Sequence, residues 1–356
     1  MRHKHGGDFI AFGQENGYYP LDFSINLNPL GMSPRAKEAI VDLLAEPQRY
    51  PDPKNRKLKA KLADITELPQ EYIVCGNGAS DIIYRLVQAK KPKKALLAVP
   101  TFAEYEHALN NVDCQVEYYF LSEDTGFILD MKFLDCLTKD IDIVFLCNPN
   151  NPTGALIEQE VIVEILKKTK EQQIFLVMDE CFNALLEKPE EATLRPFLAD
   201  NPQLFIVDAL TKSYSLAALR LGYGFSADIL LINMLETIVQ PWSVSGYAEV
   251  AALASLDDPD HLLKARELLT KQRLHMSLAL SEIGLTIFPS TINYLLFRCF
   301  KPGLSQFLAT KGIMIRSCAN FKGLDESYYR VAIRRAEENA RLISALHQFI
   351  LGEGDL

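Results

Sequence analysis

The feature that most constrains this chain's fold is an alternation of short apolar runs with helical stretches between about residues 72 and 225. Several runs are apolar at every position, which is typical of strands whose sheet is covered by helices on both faces. Such an alternation predicts an α/β fold with an open, mostly parallel sheet, here of seven strands. The runs lie at residues 72–75, 95–99, 116–120, 141–147, 174–178, 204–207 and 221–225.

The pattern changes on either side of this region. Residues 1–30 are rich in glycine and aromatic side chains without steady periodicity, and they predict an extended N-terminal arm. After about residue 245, a long helix near 261–283 is followed by short strands and a final helix, as in a smaller α+β domain. We therefore expect an arm at 1–30, a large domain at 31–245 and a small C-terminal domain at 246–356. A chain of 356 residues is long enough for two domains of about 150 residues each.

Composition and charge exclude several functional classes. The net charge is −9 and there is no basic block, so binding to nucleic acid is not expected. No run approaches the roughly 18 apolar residues of a membrane-spanning helix, and the N-terminus lacks the apolar core of a secretion signal. The cysteines are odd in number, 7, and contain no C-x-x-C pair, which argues against a disulfide framework or a zinc site. We expect a cytoplasmic protein without a metal.

Polar motifs follow several of the predicted strands, at the edge where ligands bind in open α/β sheets. Two glycines, Gly76 and Gly78, precede a helical stretch and can direct backbone N–H groups at an anion, although a plain tight turn is an equal alternative. The string from Asn148 to Gly154 forces an irregular backbone and presents asparagine amides. These positions therefore predict either a ligand-binding site at the sheet edge or turns without a function.

Three charged residues strengthen the prediction of a site. Asp179 follows five apolar residues, where a carboxylate is costly to bury without a positive partner, either a structural cation or a protonated ring nitrogen. Lys212 is a candidate amine for condensation with an aldehyde, although a lone lysine is usually only solvated. Arg220 follows eight residues later. Together with Asn151 and the glycine turn, these groups match the needs of pyridoxal phosphate.

The order of these motifs resembles the fold-type I pyridoxal-phosphate enzymes of the aspartate aminotransferase superfamily. The resemblance spans residues 76–223 and is carried by Gly-Asn-Gly, Asn-Pro-Thr-Gly, Asp-Glu-x-Phe, Thr-Lys and Leu-Arg-Leu-Gly-Tyr. Further motifs extend it over nearly the whole chain and resemble the threonine-phosphate decarboxylases of cobalamin biosynthesis, with the histidinol-phosphate aminotransferases as near relatives. These motifs are His5-Gly-Gly, Asp22-Phe-Ser-x-Asn-x-Asn-Pro-Leu-Gly31, Arg49-Tyr-Pro-Asp52, Phe102-Ala-Glu-Tyr105, Pro241-Trp-Ser-Val244, Arg316-Ser-Cys-Ala-Asn320 and Tyr329-Arg-Val-Ala-Ile-Arg334.

The resemblance implies a role for each matching residue. Lys212 would bind the cofactor aldehyde, Asp179 would pair with the pyridine nitrogen, and Asn151 and Phe102 would contact the ring. The cofactor phosphate would be bound by Gly78, Ala79, Thr211 and Arg220. A tyrosine matching Tyr50 reaches the cofactor of the other subunit, which implies a homodimer with shared active sites. The residues matching substrate-binding positions are His5, Asn28, Arg316 and Arg330.

Two positions depart from the superfamily pattern. Phe182 replaces the usual tyrosine, which removes one hydrogen bond to the ring oxygen and is shared with the decarboxylases. Ala209 replaces a residue that is often Ser or Thr, which removes one phosphate contact.

The same residues could support more than one function. The resemblance implies decarboxylation of L-threonine O-3-phosphate, a phosphorylated amino acid, with histidinol-phosphate or related amino-acid aminotransferase activity as the alternative. A pyridoxal-binding regulator or inactive scaffold is a second alternative, but such regulators carry a DNA-binding extension and this chain has no basic domain. A dinucleotide-dependent oxidoreductase is disfavoured because the Gly76 turn lacks the third spaced glycine.

Overall fold

The computed structural model describes residues 6–46 and 48–352. The strands in these residues are β1 (Leu21–Asp22), β2 (Ile73–Gly76), β3 (Lys94–Val99), β4 (Gln115–Phe120), β5 (Ile143–Cys147), β6 (Phe175–Asp179), β7 (Leu204–Ala209), β8 (Gly222–Phe225), β9 (Thr286–Ile287), β10 (Tyr294–Arg298), β11 (Ile313–Met314), β12 (Arg316–Ser317) and β13 (Tyr328–Ala332). The α-helices are α1 (Phe9–Asn16), α2 (Pro34–Leu43), α3 (Arg56–Thr66), α4 (Ala79–Lys90), α5 (Glu104–Asn110), α6 (Gln159–Gln172), α7 (Leu210–Ser213), α8 (Ile229–Thr237), α9 (Gly246–Leu256), α10 (Pro259–Glu282), α11 (Leu304–Thr310) and α12 (Ala336–Leu351).

The central sheet has seven strands in the order β2-β8-β7-β6-β5-β3-β4. Strands β3 to β7 pair in parallel with their neighbours, whereas β8 runs antiparallel to both β2 and β7. The predicted α/β class and the mostly parallel sheet of seven strands are confirmed. The antiparallel direction of β8 brings the start of that strand to the edge at which the parallel strands end.

Helices cover both faces of this sheet, which explains why the central strands are buried throughout. On one face, α4, α5 and α8 contribute side chains such as Ile83, Leu109 and Leu235. On the other face, the core continues through α6, α9 and α10 into the C-terminal part of the chain. Burial on both faces removes the polar–apolar alternation of an exposed strand, as the sequence pattern indicates.

The C-terminal part contains a second, smaller sheet of four antiparallel strands in the order β12-β13-β10-β9. The long helix α10 and the final helix α12 pack together beside it, with Leu269, Leu280 and Leu346 buried. This sheet confirms the smaller α+β domain. The boundaries of the domains at residues 30 and 245 stay predictions.

The N-terminal segment differs from the extended arm that its composition predicts. Residues 9–16 form α1, because the Asp8 side chain accepts a hydrogen bond from the Ala11 N–H at its start and Gly17 ends it with a φ of 79°. Phe12 buries its ring, and β1 then pairs in parallel with β11. The prediction was wrong for α1, since its helical signals are local caps rather than a long apolar stripe.

No helix in residues 6–46 and 48–352 is long and apolar enough to cross a membrane.

Candidate active site

The polar motifs converge on one edge of the central sheet. Strands β2, β5, β6 and β7 end there, and the antiparallel strand β8 begins there. A cavity of about 230 Å³ opens at this edge. It is lined by Ala79, Ser80, Phe102, Cys147, Asn151, Asp179, Cys181, Phe182, Ala209, Thr211, Lys212 and Arg220.

Asp179 ends β6 and is buried beside this cavity, with 5% of its surface exposed. The Tyr105 hydroxyl donates a hydrogen bond to its Oδ2 at 2.7 Å, and the Cys181 N–H donates to its Oδ1 at 2.9 Å. Tyr105 is itself fixed by stacking on Phe145, with ring centroids 5.1 Å apart. These contacts orient the carboxylate without neutralising it, so it can serve a cationic group in the cavity.

Lys212 lies in the short helix α7 directly after β7. Burial lowers the pKa of its amine to about 8, and the positive charges of Arg330 and Arg220 add to this effect. No hydrogen bond of this amine to another residue is found in the part of the chain that the structure describes. A partly deprotonated amine beside a cavity is the form of lysine that attacks an aldehyde.

A cradle suited to a phosphate lies at the start of α4. Gly78 precedes this helix with a φ of 88° and provides no side-chain cap for its first N–H groups. A Cβ on Gly78 would lie 2.6 Å from Nη2 of Arg220, and a Cβ on Gly222 would lie 2.3 Å from the Ala79 nitrogen. Glycine suits Gly78 because of the positive φ there, and it is required at Gly222 because a Cβ would overlap the backbone of Gly78 and Ala79.

A second cavity of about 120 Å³ adjoins the first and shares Phe102, Asn151, Phe182 and Lys212 with it. Its other lining residues come largely from the N-terminal segment and the small sheet. They are Gly6, Ser24, Ile25, Asn26, Ala103, Arg316, Asn320, Phe321 and Arg330.

Two buried arginines are the main charged groups of this second cavity. Arg316 donates to Oδ1 of Asn320 at 2.7 Å, and burial, assisted by the charge of Arg330, lowers its pKa to about 10. Arg330 donates to Oδ1 of Asn151 and, at 2.9 Å, to the Ser24 carbonyl, and burial also lowers its pKa. Neither arginine forms an ion pair with an acid among residues 6–46 and 48–352. Buried cations with no acid in direct contact indicate a site for anionic groups of a ligand.

The structure brings together most of the residues that the sequence predicts for the site. The predicted residues that line the two cavities are Ala79, Phe102, Asn151, Asp179, Thr211, Lys212, Arg220, Arg316 and Arg330, and Gly78 forms part of the cradle at the start of α4. His5 lies outside the described residues. The departures at Phe182 and Ala209 are both in the wall of the first cavity.

Two predicted residues lie elsewhere in this chain. Tyr50 is 78% exposed and packs against Trp242, with ring centroids 4.6 Å apart and the planes tilted by 30°, and both line a separate cavity of about 720 Å³. Asn28 is buried, and its amide donates to the Ser213 carbonyl at 2.8 Å while its N–H donates to the Lys212 carbonyl at 2.9 Å. Asn28 thus holds the segment that carries Lys212, and its contact with a substrate stays a prediction.

Sequence reasoning missed several residues of the site. Tyr105 could have been found from the sequence, because it is the last residue of the Phe102-Ala-Glu-Tyr105 motif, in which only Phe102 was given a role. Ser24 and Asn26 belong to another of the quoted motifs, but nothing in the local sequence indicates that they meet Arg330. No group of His, Cys, Asp or Glu that could hold a metal ion is present in residues 6–46 and 48–352.

The comparisons with known proteins agree with this fold. The family described as aminotransferase class I and II matches residues 20–346, and the chain belongs to this family. The prediction of a fold-type I enzyme of the pyridoxal-phosphate-dependent aminotransferases is thereby confirmed. The chain is 38% identical to the threonine-phosphate decarboxylase of Salmonella typhimurium, over 98% of this chain and 97% of that protein.

Two solved structures also match over most of their length. The L-threonine-O-3-phosphate decarboxylase of Porphyromonas gingivalis superposes with a TM-score of 0.82 at 27% identity, covering 92% of this chain and 99% of the other. The histidinol-phosphate aminotransferase of Clostridium acetobutylicum superposes with a TM-score of 0.87 at 29% identity, with coverage of 92% and 98%. The fold alone therefore does not separate a decarboxylase from an aminotransferase.

The lowered pKa of Lys212 predicts how cofactor capture depends on pH. With a pKa of about 8, about a tenth of the amine is neutral at pH 7, against roughly a few in ten thousand for an ordinary lysine. We expect the rate at which the cofactor-free protein binds added pyridoxal phosphate to rise about tenfold per pH unit below pH 8 and to level off above it. Stopped-flow absorption between pH 6 and pH 10 measures this rate. A rise that continues unchanged to pH 10 would contradict the lowered pKa.

Proposed function

We propose that this protein is a pyridoxal-phosphate-dependent carboxy-lyase that converts L-threonine O-3-phosphate to (R)-1-amino-2-propanol O-2-phosphate and CO₂, a step of cobalamin biosynthesis. The observation that supports it best is the pair of buried, unpaired cations, Arg316 and Arg330, in a cavity that adjoins Lys212. A substrate with a carboxylate and a phosphate supplies two anionic groups for these two guanidinium groups. The similarity to threonine-phosphate decarboxylase over nearly the whole chain supports the same substrate.

The residues of the first cavity fit pyridoxal phosphate. We assign the aldehyde to the Lys212 amine, the pyridine nitrogen to the Asp179 carboxylate, and the ring face to Phe102. The phosphate is assigned to the cradle of Gly78, Ala79, Thr211 and Arg220. The ring hydroxyl is assigned to Asn151, whose Oδ1 here accepts from Arg330.

When bound, the cofactor supplies an electron sink for the electron pair that a broken bond leaves on the substrate Cα. Asp179 maintains the positive charge on the ring nitrogen that this sink requires. Arg316 and Arg330 would hold the two anions of the substrate and so would decide which bond of Cα is placed to break. When the bond to the carboxylate breaks, CO₂ leaves and Lys212 or water returns a proton to Cα.

We also propose that the working enzyme is a homodimer in which Tyr50 belongs to the partner's active site. Tyr50 and Trp242 form an exposed aromatic pair at the edge of a 720 Å³ cavity. Large exposed aromatic side chains grouped in this way are typical of interfaces. The position of Tyr50 away from the first cavity of its own chain fits a contact made across a dimer.

The decarboxylase assignment is tested by measuring products. Purified protein loaded with cofactor should release one CO₂ for each amino-propanol phosphate formed from L-threonine O-3-phosphate. A parallel reaction with histidinol phosphate and 2-oxoglutarate tests the aminotransferase alternative, which the similarity to the Clostridium acetobutylicum enzyme favours. Glutamate formation in that reaction, without CO₂ in the first, would overturn the proposed function in favour of an aminotransferase.

A further inference from the structure

One residue of the second cavity contacts both the N-terminal segment and a substrate-site arginine. Ser24 is 2% exposed, and its hydroxyl accepts a hydrogen bond from the Gly7 N–H at 2.7 Å. Its carbonyl accepts from Nη2 of Arg330 at 2.9 Å. Ser24 therefore links the start of the described chain to the guanidinium group of Arg330, which lies 306 residues later in the sequence.

The N-terminal segment approaches Ser24 backbone to backbone. A Cβ on Gly6 would lie 2.3 Å from the Ser24 carbonyl oxygen, which is backbone and has no rotamer to change. Gly7 has a φ of 86°, and a Cβ there would lie 2.7 Å from the Ile25 side chain. Glycine is thus required at both positions for this contact. Gly6 and Ser24 both line the second cavity, so the contact forms part of its wall.

Asp22 holds Ser24 in this orientation. Its Oδ1 accepts hydrogen bonds from both the N–H and the hydroxyl of Ser24, each at 2.7 Å. Burial raises the pKa of Asp22, while the bonds from Ser24 and the charge of Arg334 oppose the rise. Asp22 lies in β1, where it pairs with Met314 of β11. The residue that orients Ser24 is therefore part of the β1–β11 pair, and Arg316 follows β11 by two residues.

We propose that Ser24, supported by Asp22, is a positioning residue that joins the N-terminal segment at Gly6–Gly7 to Arg330 and closes one wall of the substrate pocket. This inference rests on the proposed function for the identity of its substrate. Ser24 contacts no residue assigned to the cofactor aldehyde or phosphate, so its contribution is to substrate binding. Losing the Gly7 contact should release the segment without changing the chemistry at Lys212.

Two variants and a matched control test this proposal. Ser24→Ala removes the hydroxyl, and Gly6→Ala introduces the 2.3 Å overlap with the Ser24 carbonyl. We expect each to raise KM for L-threonine O-3-phosphate, about threefold to tenfold for Ser24→Ala and at least about tenfold for Gly6→Ala. kcat and the absorption spectrum of the bound cofactor should stay unchanged. Gly13→Ala, in α1 of the same segment, would place its Cβ no closer than 3.3 Å to any atom, at the Tyr19 ring, and should leave KM unchanged.

A second readout separates positioning from a general loss of folding. Hydrogen–deuterium exchange of a peptide that spans residues 6–12 should become faster in Ser24→Ala and Gly6→Ala than in the native protein, while peptides of the central sheet keep their protection. Asp22→Asn keeps an oxygen acceptor for Ser24 and should rescue most of the KM defect seen in Asp22→Ala.

The outcomes distinguish this inference from the proposed function. If Ser24→Ala and Gly6→Ala leave both KM and the exchange of residues 6–12 unchanged, the positioning role is wrong. A fall in kcat with unchanged KM would also overturn it. If no CO₂ is released at all, the proposed function fails, but the exchange measurement and the spectral titration of the bound cofactor with L-threonine O-3-phosphate still test Ser24.

Discussion

Lys212→Ala should abolish decarboxylation, with a loss of roughly a thousandfold or more. The variant removes the amine that we assign to cofactor capture and to proton return at Cα. Lys212 lines both cavities, and no other lysine is among their lining residues to replace it. The absorption band expected at roughly 400–430 nm for the linked cofactor should disappear. A CO₂ assay and a visible spectrum of the purified variant measure the two effects.

Two companion variants sharpen this test. Lys212→Arg keeps a positive charge but offers no neutral amine, so it should be as inactive as Lys212→Ala. Tyr50→Ala should also lose activity if Tyr50 serves the partner's site. Mixing unfolded Lys212→Ala and Tyr50→Ala chains and refolding them together should then restore activity, since one site of each mixed dimer carries both native residues. An active Lys212→Ala protein, or mixed chains that regain nothing, would contradict the catalytic lysine or the shared site, respectively.

Asp179→Asn should lower kcat by about a hundredfold to a thousandfold. The amide has nearly the same shape: its oxygen can still accept from the Cys181 N–H, and its NH₂ can donate to the Tyr105 hydroxyl, but the negative charge is lost. Without that charge the ring nitrogen has no partner to keep it protonated, and the electron sink weakens. Steady-state CO₂ release measures kcat, and equilibrium titration measures the affinity for the cofactor.

Tyr105→Phe is the control for Asp179→Asn. It removes one hydrogen bond to Oδ2 of Asp179 but leaves the carboxylate charged, so kcat should fall by only about threefold to tenfold. If Asp179→Asn is no slower than Tyr105→Phe, the carboxylate charge is not used in the reaction, and the assignment of the ring nitrogen to Asp179 is wrong.

The strands of the central sheet could be predicted from the sequence because their signal is local. A run such as 143–147 is buried on both faces and is therefore apolar at each position, and the structure places β5 within the predicted run. The direction of β8 could not be predicted in this way, since a buried strand has the same apolar pattern whether it runs parallel or antiparallel to its neighbours. Helix α1 was missed because its ends depend on the hydrogen bonds of Asp8 and Gly17.

The sequence by itself determined the sheet, the family and the polar residues at strand ends. These features have local signals, because a strand covered on both faces is apolar at each position and a tight turn requires glycine at particular positions. Only the tertiary structure decided which polar residues meet: Asn26 rather than Asn28 lines the second cavity, and Tyr105 contacts Asp179, which is 74 residues away in the sequence. Ser24 contacts Arg330 through its backbone carbonyl, which every residue type carries. Contacts of that kind follow from how distant segments pack, and no local sequence pattern encodes them.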